Sequence, residues 1–334
     1  MTVSLKVIAE HAGVSGATIS RVLNGKNDRI PVETQERILK IASEMGYRSN
    51  RFLRNSREGK TSTIGLMIAG LLNPFFVSVM ESAERNALKL GYQVVLDPGL
   101  TVRGSYETHG KLQDWPVDGI VMWARNEQTI RGALGTSALR VPAVYIGDER
   151  TDNENFVAID LASGTTELVK HLIHRGYRSM MYVAPYDFRG PAPDLRVRAY
   201  IQSCTEAGID PQYFVMDPQE ETFTAGLKTG LHFGRMDPYS RPRALVCHND
   251  VIAVGVYNGL KRCGVRIPED VALTGYDGIE LGQCLDIPLT TVAAPIEEMC
   301  SIALQILAGQ ISEHNSVAHQ HFLLPVKLLV GGTT

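Results

Sequence analysis

The sequence predicts an α/β protein with a small N-terminal head of three helices and a larger, two-lobed core built on parallel sheets. Three short helical patterns occupy residues 4–45, and a glycine separates the first from the second. From Thr63 onward, short β-branched and aliphatic runs alternate with helical patterns. Charge is also divided: residues 1–60 hold 11 Lys and Arg against 6 Asp and Glu, whereas the remainder holds 22 against 30. A basic head on an acidic body is typical of a nucleic-acid-binding domain joined to a second module.

The composition is that of a folded protein with two or three domains. Hydrophobic residues make up 44% of the 334 positions and charged residues 21%, which is enough apolar surface for several cores. No apolar run reaches the length of a membrane span, and no signal segment opens the chain. The five cysteines are scattered without metal-ligand spacing, which predicts reduced thiols and no metal site.

Residues 4–24 predict two helices that cross at a tight turn. Ser4 can cap the first helix, which places Leu5, Ile8, Ala9 and Ala12 on one apolar face before Gly13 ends it.

Ser15 can cap the second helix, which buries Ile19, Val22 and Leu23. The side chains on the opposite face are short, apart from one long cation. A helix that lies in the DNA major groove requires such a face, which here consists of Gly16, Ala17, Ser20 and Arg21. The competing interpretation is an ordinary amphipathic helix pair.

At these residues the chain resembles the LacI/GalR family of bacterial transcription regulators. Ala12–Asn24 matches the family pattern AGVSxxTVSRVLN, with Ile19 in place of the usual valine. The resemblance implies that DNA is bound by Ser15, Gly16, Ala17, Thr18, Ser20, Arg21, Asn24 and Tyr47, and by Asn50, Arg51 and Arg54 of a hinge. It also implies a periplasmic-binding-protein-like core.

A third helix is predicted from about Pro31 to Met45, and the basic segment that follows corresponds to the family hinge. In the family, paired hinge helices insert a leucine into the minor groove and kink the duplex. Here Ser49 stands for the usual proline, and the wedge leucine falls on Ser56. Either the wedge is missing, or a shifted residue such as Phe52 or Leu53 supplies it.

The core is expected to contain parallel strands and helices in alternation. We expect strands at 63–70, 92–97, 119–123, 143–148, 156–160, 180–185, 212–218, 244–250, 271–278 and 290–295, with helices at 75–90 and 105–114, after Asp160, through Tyr200 and through Lys261. The expected domains are a head at 1–47, a hinge at 48–62 and a core at 63–334. Within the core, the first lobe covers about 63–161 and 293–320, and the second about 162–292 and 321–334.

Polar residues at strand ends are the candidates for a small-molecule site, because open α/β sheets bind ligands beyond the carboxyl ends of their strands. Asn73, Phe75 and Phe76 match a family motif at the cleft, and Arg196 matches a family arginine that reaches the effector. The complete candidate set is Asn73, Phe75, Phe76, Asp148, Asp160, Arg196, Glu221, Phe223, Asn249 and Asp277. For any single Asp, helix capping is the simpler interpretation.

Two positions depart from the sugar-binding members of the family. The aromatic wall of the second lobe aligns with Glu221, for which Phe223 could substitute, and a family Asp falls on Gly147, one residue before Asp148. The effector is therefore expected to be sugar-like, with its identity open.

We therefore expect a regulator, most simply a repressor, that binds operator DNA as a homodimer under control of a small effector. A solute-binding protein of the same fold, acting in transport or sensing, is the alternative. The sequence contains no Walker loop, GxGxxG or nucleophile elbow. We accordingly expect no enzymatic activity, no cofactor, no metal and no membrane partner, and a location in the bacterial cytoplasm on the nucleoid. With no heptad tail after Pro325, a coiled-coil tetramer is not expected.

Overall fold

The computed structural model describes residues 5–23, 30–45, 61–100, 116–124, 141–147, 154–185, 194–217, 222–312 and 319–334. The chain divides into two compact units, Met1–Thr61 and Ser62–Thr334. None of the described helices is long and apolar enough to cross a membrane.

The described residues of the first unit form three helices, α1 (Leu5–Ala12), α2 (Gly16–Leu23) and α3 (Val32–Glu44). They share a core of small and branched side chains: Ile8, Ala12, Ile19, Val22, Ile38 and Ala42. Gly13 connects α1 to α2 with φ at +64°, a left-handed conformation that a side chain would strain. Leu5, expected on the buried face, is 37% exposed in the first turn of α1.

The first lobe of the second unit is a six-stranded parallel sheet. Its strands are β1 (Thr63–Ala69), β2 (Gln93–Leu100), β3 (Gly119–Ala124), β4 (Ala143–Gly147), β5 (Asn155–Ile159) and β11 (His321–Leu324), in the order β11-β5-β4-β3-β1-β2. Helix α4 (Pro74–Lys89) packs on β1 and β2, and α10 (Ile296–Ser312) packs on β3, β4 and β5. The expected helix at 105–114 lies outside the described residues.

The second lobe has a four-stranded parallel sheet with the order β7-β6-β8-β9. These strands are β6 (Met180–Ala184), β7 (Gln212–Val215), β8 (Ala244–Cys247) and β9 (Ala272–Thr274). Its helices are α5 (Leu161–His174), α6 (Leu195–Glu206), α7 (Thr222–Arg235), α8 (Asp250–Arg262) and the short α9 (Glu280–Gln283). Helices α7, α9 and α10 had no counterpart in the sequence prediction.

Between the described elements, the chain passes from one lobe to the other after β5, after β10 (Thr291–Ala293) and after β11. Strand β10 pairs antiparallel with β12 (Lys327–Leu329) in a separate two-stranded sheet. The expected assignment of residues 321–334 to the second lobe is wrong at its start, because His321–Leu324 pairs with Phe156–Ile159 of the first sheet. The pairing of an edge strand depends on where the crossing chain re-enters, and its own pattern does not reveal that.

Candidate DNA-binding and effector sites

The exposed face of α2 carries the predicted DNA-reading residues. Ser15, Gly16, Ala17 and Arg21 are exposed, while Thr18 and Ser20 are half-buried. As predicted, Ser15 caps the helix: its Oγ accepts from the Thr18 amide at 3.2 Å and lies 2.9 Å from the Thr18 hydroxyl. Arg21 is thus the long cationic donor on a face whose other members are short. Such a face can enter a major groove closely and offer one forked donor to a base or phosphate.

Seven of the predicted contact residues lie outside the described residues: Asn24, Tyr47, Asn50, Arg51, Arg54, Asp148 and Glu221. Their roles stay predictions.

Three of the predicted effector residues cap helices at the carboxyl edges of the two sheets. Asp160 accepts from the Ser163 amide at 3.1 Å and caps α5, and Asn249 accepts from the Ile252 amide at 2.9 Å and caps α8. Asn73 accepts from the Phe75 amide at 3.0 Å and caps α4. Capping therefore engages one oxygen of each side chain and sets the orientation of that side chain. It also means that three helix N-termini lie at the sheet edges where ligands bind in such folds.

Asn73 also connects the two lobes. Its Nδ2 donates to Oδ2 of Asp277 at 3.3 Å, across 204 residues of sequence. Because Oδ1 of the same side chain accepts from an amide, the orientation of the Asn73 amide follows from its partners. Asp277 is 9% exposed and has φ at +111°, which is unusual for a residue with a side chain. Backbone hydrogen bonds to Val292 and from Ala294 hold it in this conformation.

Arg196 lies at the start of α6 and is held within the second lobe. Its Nε and Nη2 donate to the two carboxylate oxygens of Asp194, both at 3.0 Å. Its Nη1 donates to the His248 carbonyl at 3.2 Å, and Nη2 lies 2.8 Å from His248 Nε2. Since a guanidinium can only donate, Nε2 of His248 must accept, and the ring proton sits on Nδ1, 3.0 Å from the Tyr182 hydroxyl.

Tyr276 joins this cluster to the chain crossing. The Arg196 guanidinium carbon lies 5.4 Å from the centre of the Tyr276 ring, and the Tyr276 hydroxyl donates to the Leu161 carbonyl at 3.2 Å. Its own carbonyl accepts from the Asp250 amide at 2.7 Å. Arg196, Asp277 and Asn249 are therefore brought into one neighbourhood, with Leu161 placing Asp160 beside it.

Asp250 is a buried carboxyl group behind this edge. Its Oδ1 accepts from the Thr291 hydroxyl at 2.6 Å, and its Oδ2 accepts from the Ile279 amide at 2.8 Å. Burial, and then the charge of Asp277, raise the pKa of Asp250 well above its usual value. The group can therefore retain its proton where surface carboxylates lose theirs.

Aromatic rings form the matching feature of the first lobe. Phe75, Phe76 and Trp123 contact one another edge to face, with ring centres 5.2 to 5.3 Å apart. Phe75 and Trp123 are buried and Phe76 is half-buried, so Phe76 has the more accessible ring. Phe223 is placed differently, in the first turn of α7, where it is 42% exposed.

Sequence reasoning missed several residues of this site, namely Trp123, Asp194, His248 and Tyr276. Asp194 could have been recognised, because a two-residue Asp-to-Arg spacing at a helix start suits an N-cap that also pairs with the arginine. The other three end strands or follow them, a position that by itself does not distinguish a core residue from a site residue. Among the described residues, no cluster of His, Cys, Asp and Glu could hold a metal ion.

The chain is similar to known bacterial regulators over both of its units. Residues 4–50 match the family described as bacterial regulatory proteins, lacI family, and residues 169–334 match a periplasmic binding protein-like domain. The HTH-type transcriptional repressor CytR of Escherichia coli (strain K12) is 28% identical over 342 residues, covering 99% of this chain and 96% of that protein. The ribose operon repressor of Haemophilus influenzae is 29% identical over 316 residues, covering 93% of each chain.

Solved structures of transcription regulators share the fold. The Lac repressor dimer bound to operator and the anti-inducer ONPF superimposes with a TM-score of 0.78 at 24% identity, covering 100% of this chain and 99% of that one. The transcriptional regulator CelR in complex with cellobiose has a TM-score of 0.64 at 23% identity, covering 99% and 100%. The three-helix head, the two parallel-sheet lobes and the two family matches agree: the chain joins a DNA-binding domain of the lacI family of bacterial regulatory proteins to a periplasmic-binding-protein-like domain, which is the arrangement of a DNA-binding transcription regulator.

Proposed function

We propose that this protein is a repressor that binds a near-palindromic operator as a homodimer and is controlled by a small effector held between its two lobes. The hydrogen bond from Asn73 to Asp277 carries the proposal, since it brings a polar residue of each lobe together beside Arg196 and the aromatic rings. A ligand that bound both Asn73 and Asp277 would connect the two lobes, and its affinity would depend on the relative position of the lobes.

The proposed DNA contacts are Ser15, Gly16, Ala17, Thr18, Ser20 and Arg21 on α2, together with Asn24, Tyr47, Asn50, Arg51 and Arg54. One head of this size reads only a short half-site, so specific binding calls for two heads and therefore for a dimer. The domain limits of head, hinge and core are proposed at 1–47, 48–62 and 63–334. Because a repressor acts on chromosomal DNA, the proposed location of the protein is the bacterial cytoplasm, at the nucleoid.

The proposed effector is a sugar or sugar derivative, bound by Asn73, Phe75, Phe76, Asp148, Asp160, Glu221, Phe223, Asn249 and Asp277. Arg196 is proposed to act on it from the second lobe. Within the described part of the site, Asp194 already balances the charge of Arg196, and Asp160 and Asp277 add acceptors. Hydroxyl donors and an apolar ring face suit such a lining. The protein acts by binding and not by catalysis, because control requires only different affinities for the two states.

The test begins with selection of duplexes from a random DNA library by the full-length protein, followed by gel-shift titration of the selected site. We expect a near-palindromic sequence bound by two protomers. A thermal-shift screen of neutral sugars, sugar phosphates and nucleosides should then find compounds that raise the melting temperature, and these should change operator affinity. A chain that bound sugars but selected no duplex would instead be a solute-binding protein.

A further inference from the structure

The core holds Ser62, the residue that directly precedes its first strand, by hydrogen bonds to both its amide and its carbonyl. The Ser62 amide donates to Oδ2 of Asp118 at 2.7 Å, and the Ser62 carbonyl accepts from the Gln93 amide at 2.9 Å. The Asp118 amide in turn donates to the Thr63 carbonyl at 2.8 Å. Residue 62 is therefore bound at its amide by the residue that precedes β3 and at its carbonyl by the start of β2.

The backbone at this point is strained. Ser62 has φ at +53°, and among the described non-glycine residues only Ser62 and Asp277 have positive φ. Such conformations cost free energy and persist where the surroundings enforce them, often at functional positions. One of the two lies in the candidate effector site, and the other lies where the chain leaves the core for the segment that leads to the DNA-binding head.

The acceptor of the Ser62 amide is the half-buried carboxylate of Asp118. It follows Val117 and directly precedes β3, so its position is set by the buried sheet. Burial, and then the charge of Asp118, raise the pKa of Tyr92. A charged acceptor on a rigid strand is a strong anchor for one backbone amide.

The same two strands extend to the other edge of the lobe. Strand β1 begins at Thr63, next to Ser62, and leads to the loop that holds Asn73, while β3 begins directly after Asp118 and contains Trp123. These adjacent strands are about 20 Å long. The hydrogen bond between Ser62 and Asp118 therefore lies at one end of this pair of strands, and the candidate effector residues lie at the other end.

We propose that Asp118 is a positioning residue that sets the direction in which the chain leaves the first lobe, and thereby the half-site spacing that a dimer accepts on DNA. The proposal rests on the proposed function, since spacing matters only if two heads bind one operator. With a fixed exit direction, one added base pair at the operator centre turns the second half-site by about 35° and misplaces it.

The test uses the full-length protein and the operator selected from the random library, together with versions that carry one or two extra central base pairs. Wild type should lose about tenfold in affinity per insertion, an effect comparable to a mismatched base pair. The Asp118→Ala variant lacks the acceptor. It should bind the operators of all three spacings with affinities that agree within about twofold. Asp118→Asn, which keeps an acceptor oxygen, should retain the preference, as should Asp286→Ala, which removes an exposed carboxylate of the second lobe.

Ser62→Pro tests the contact from its other side if Asp118→Ala does not fold. Proline removes the donating amide and forbids the positive φ, so this variant should also lose the spacing preference. Hydrogen exchange at Ser62 should be faster in Asp118→Ala, which reports the broken bond directly. Wild-type spacing preference in a folded Asp118→Ala or Ser62→Pro variant would overturn the proposal, and so would a wild-type protein indifferent to spacing. A wild-type protein that selects no operator refutes the proposed function instead.

Discussion

Asp250 and Thr291 are bound to each other across 41 residues of sequence, with the Thr291 hydroxyl 2.6 Å from Oδ1 of Asp250. This contact attaches the first residue of α8 to β10, the strand by which the chain returns to the first lobe. Both side chains are fully buried. The bond therefore connects the candidate effector edge to one of the lobe crossings.

Replacing Thr291 with valine should destabilise the protein by about 1–3 kcal/mol, because a buried carboxyl oxygen loses its partner while shape is nearly kept. Urea unfolding followed by circular dichroism measures the change. Thr291→Ser keeps the hydroxyl and is the matched control. A valine variant as stable as wild type would show that the hydrogen bond contributes nothing.

The raised pKa of Asp250 makes a prediction about pH. As pH rises above the unfolded-state value of about 3.9, the unfolded chain loses this proton while the folded chain keeps it. Stability from this group therefore falls with rising pH until the folded-state pKa is passed. Asp250→Asn cannot lose a proton, and its amide can donate to Thr291 while its oxygen accepts from Ile279. Its stability relative to wild type should rise between pH 4 and pH 7 in urea titrations, whereas parallel curves would contradict the raised pKa.

Arg21→Ala should weaken operator binding by about 1–3 kcal/mol, since the variant loses the long donor on the exposed face of α2. Gel-shift titration against the selected operator measures this loss. Arg37→Ala is the control, because it removes another exposed cation, from α3 of the same unit. If the two variants lose affinity equally, only general charge attraction is involved and α2 does not read the operator.

Arg196→Ala should destabilise the protein by about 3–5 kcal/mol, because it leaves the buried carboxylate of Asp194 without its counter-ion. The Asp194 side chain is only 3% exposed, so water cannot take the place of the guanidinium. Arg198→Ala, two residues along α6 and exposed, should change stability little. Thermal unfolding compares the two, and an unchanged melting temperature in Arg196→Ala would contradict a structural role for this arginine.

Helices α7 and α8 lie side by side with glycines at their contact, and Gly230→Ala should separate them. A Cβ at Gly230 would lie 2.2 Å from the Val256 carbonyl oxygen, so the backbones must move apart at a cost of about 1–3 kcal/mol. Gly309→Ala in α10 meets open space and should instead stabilise its helix by about 0.5–1 kcal/mol. Opposite signs in denaturant unfolding are expected, and a stable Gly230→Ala variant would show that the packing is looser.

Local patterns in the sequence were sufficient for most secondary structure and for the class of fold. Helical spacing predicted the buried faces of α1 and α2, and β-branched runs predicted the strands of both sheets except β11, because burial of one face leaves a periodic record. Ser15, Asp160 and Asn249 were identifiable as polar residues at helix starts for the same local reason. Strand β11 was missed because its four residues form an exposed edge strand without such a record.

The sequence by itself determined the three-helix head with its short, polar α2 face, the alternating strands and helices of the core, and the polar residues that end the strands. Only the tertiary structure decided which of those residues meet. Asn73 pairs with Asp277, Arg196 is held by Asp194 and His248, and Asp118 holds Ser62, over separations of up to 204 residues. Hydrophobic periodicity records which face of an element is buried. The partners of a polar side chain depend on strand order and on where the chain crosses between lobes, and those are properties of the whole packed molecule.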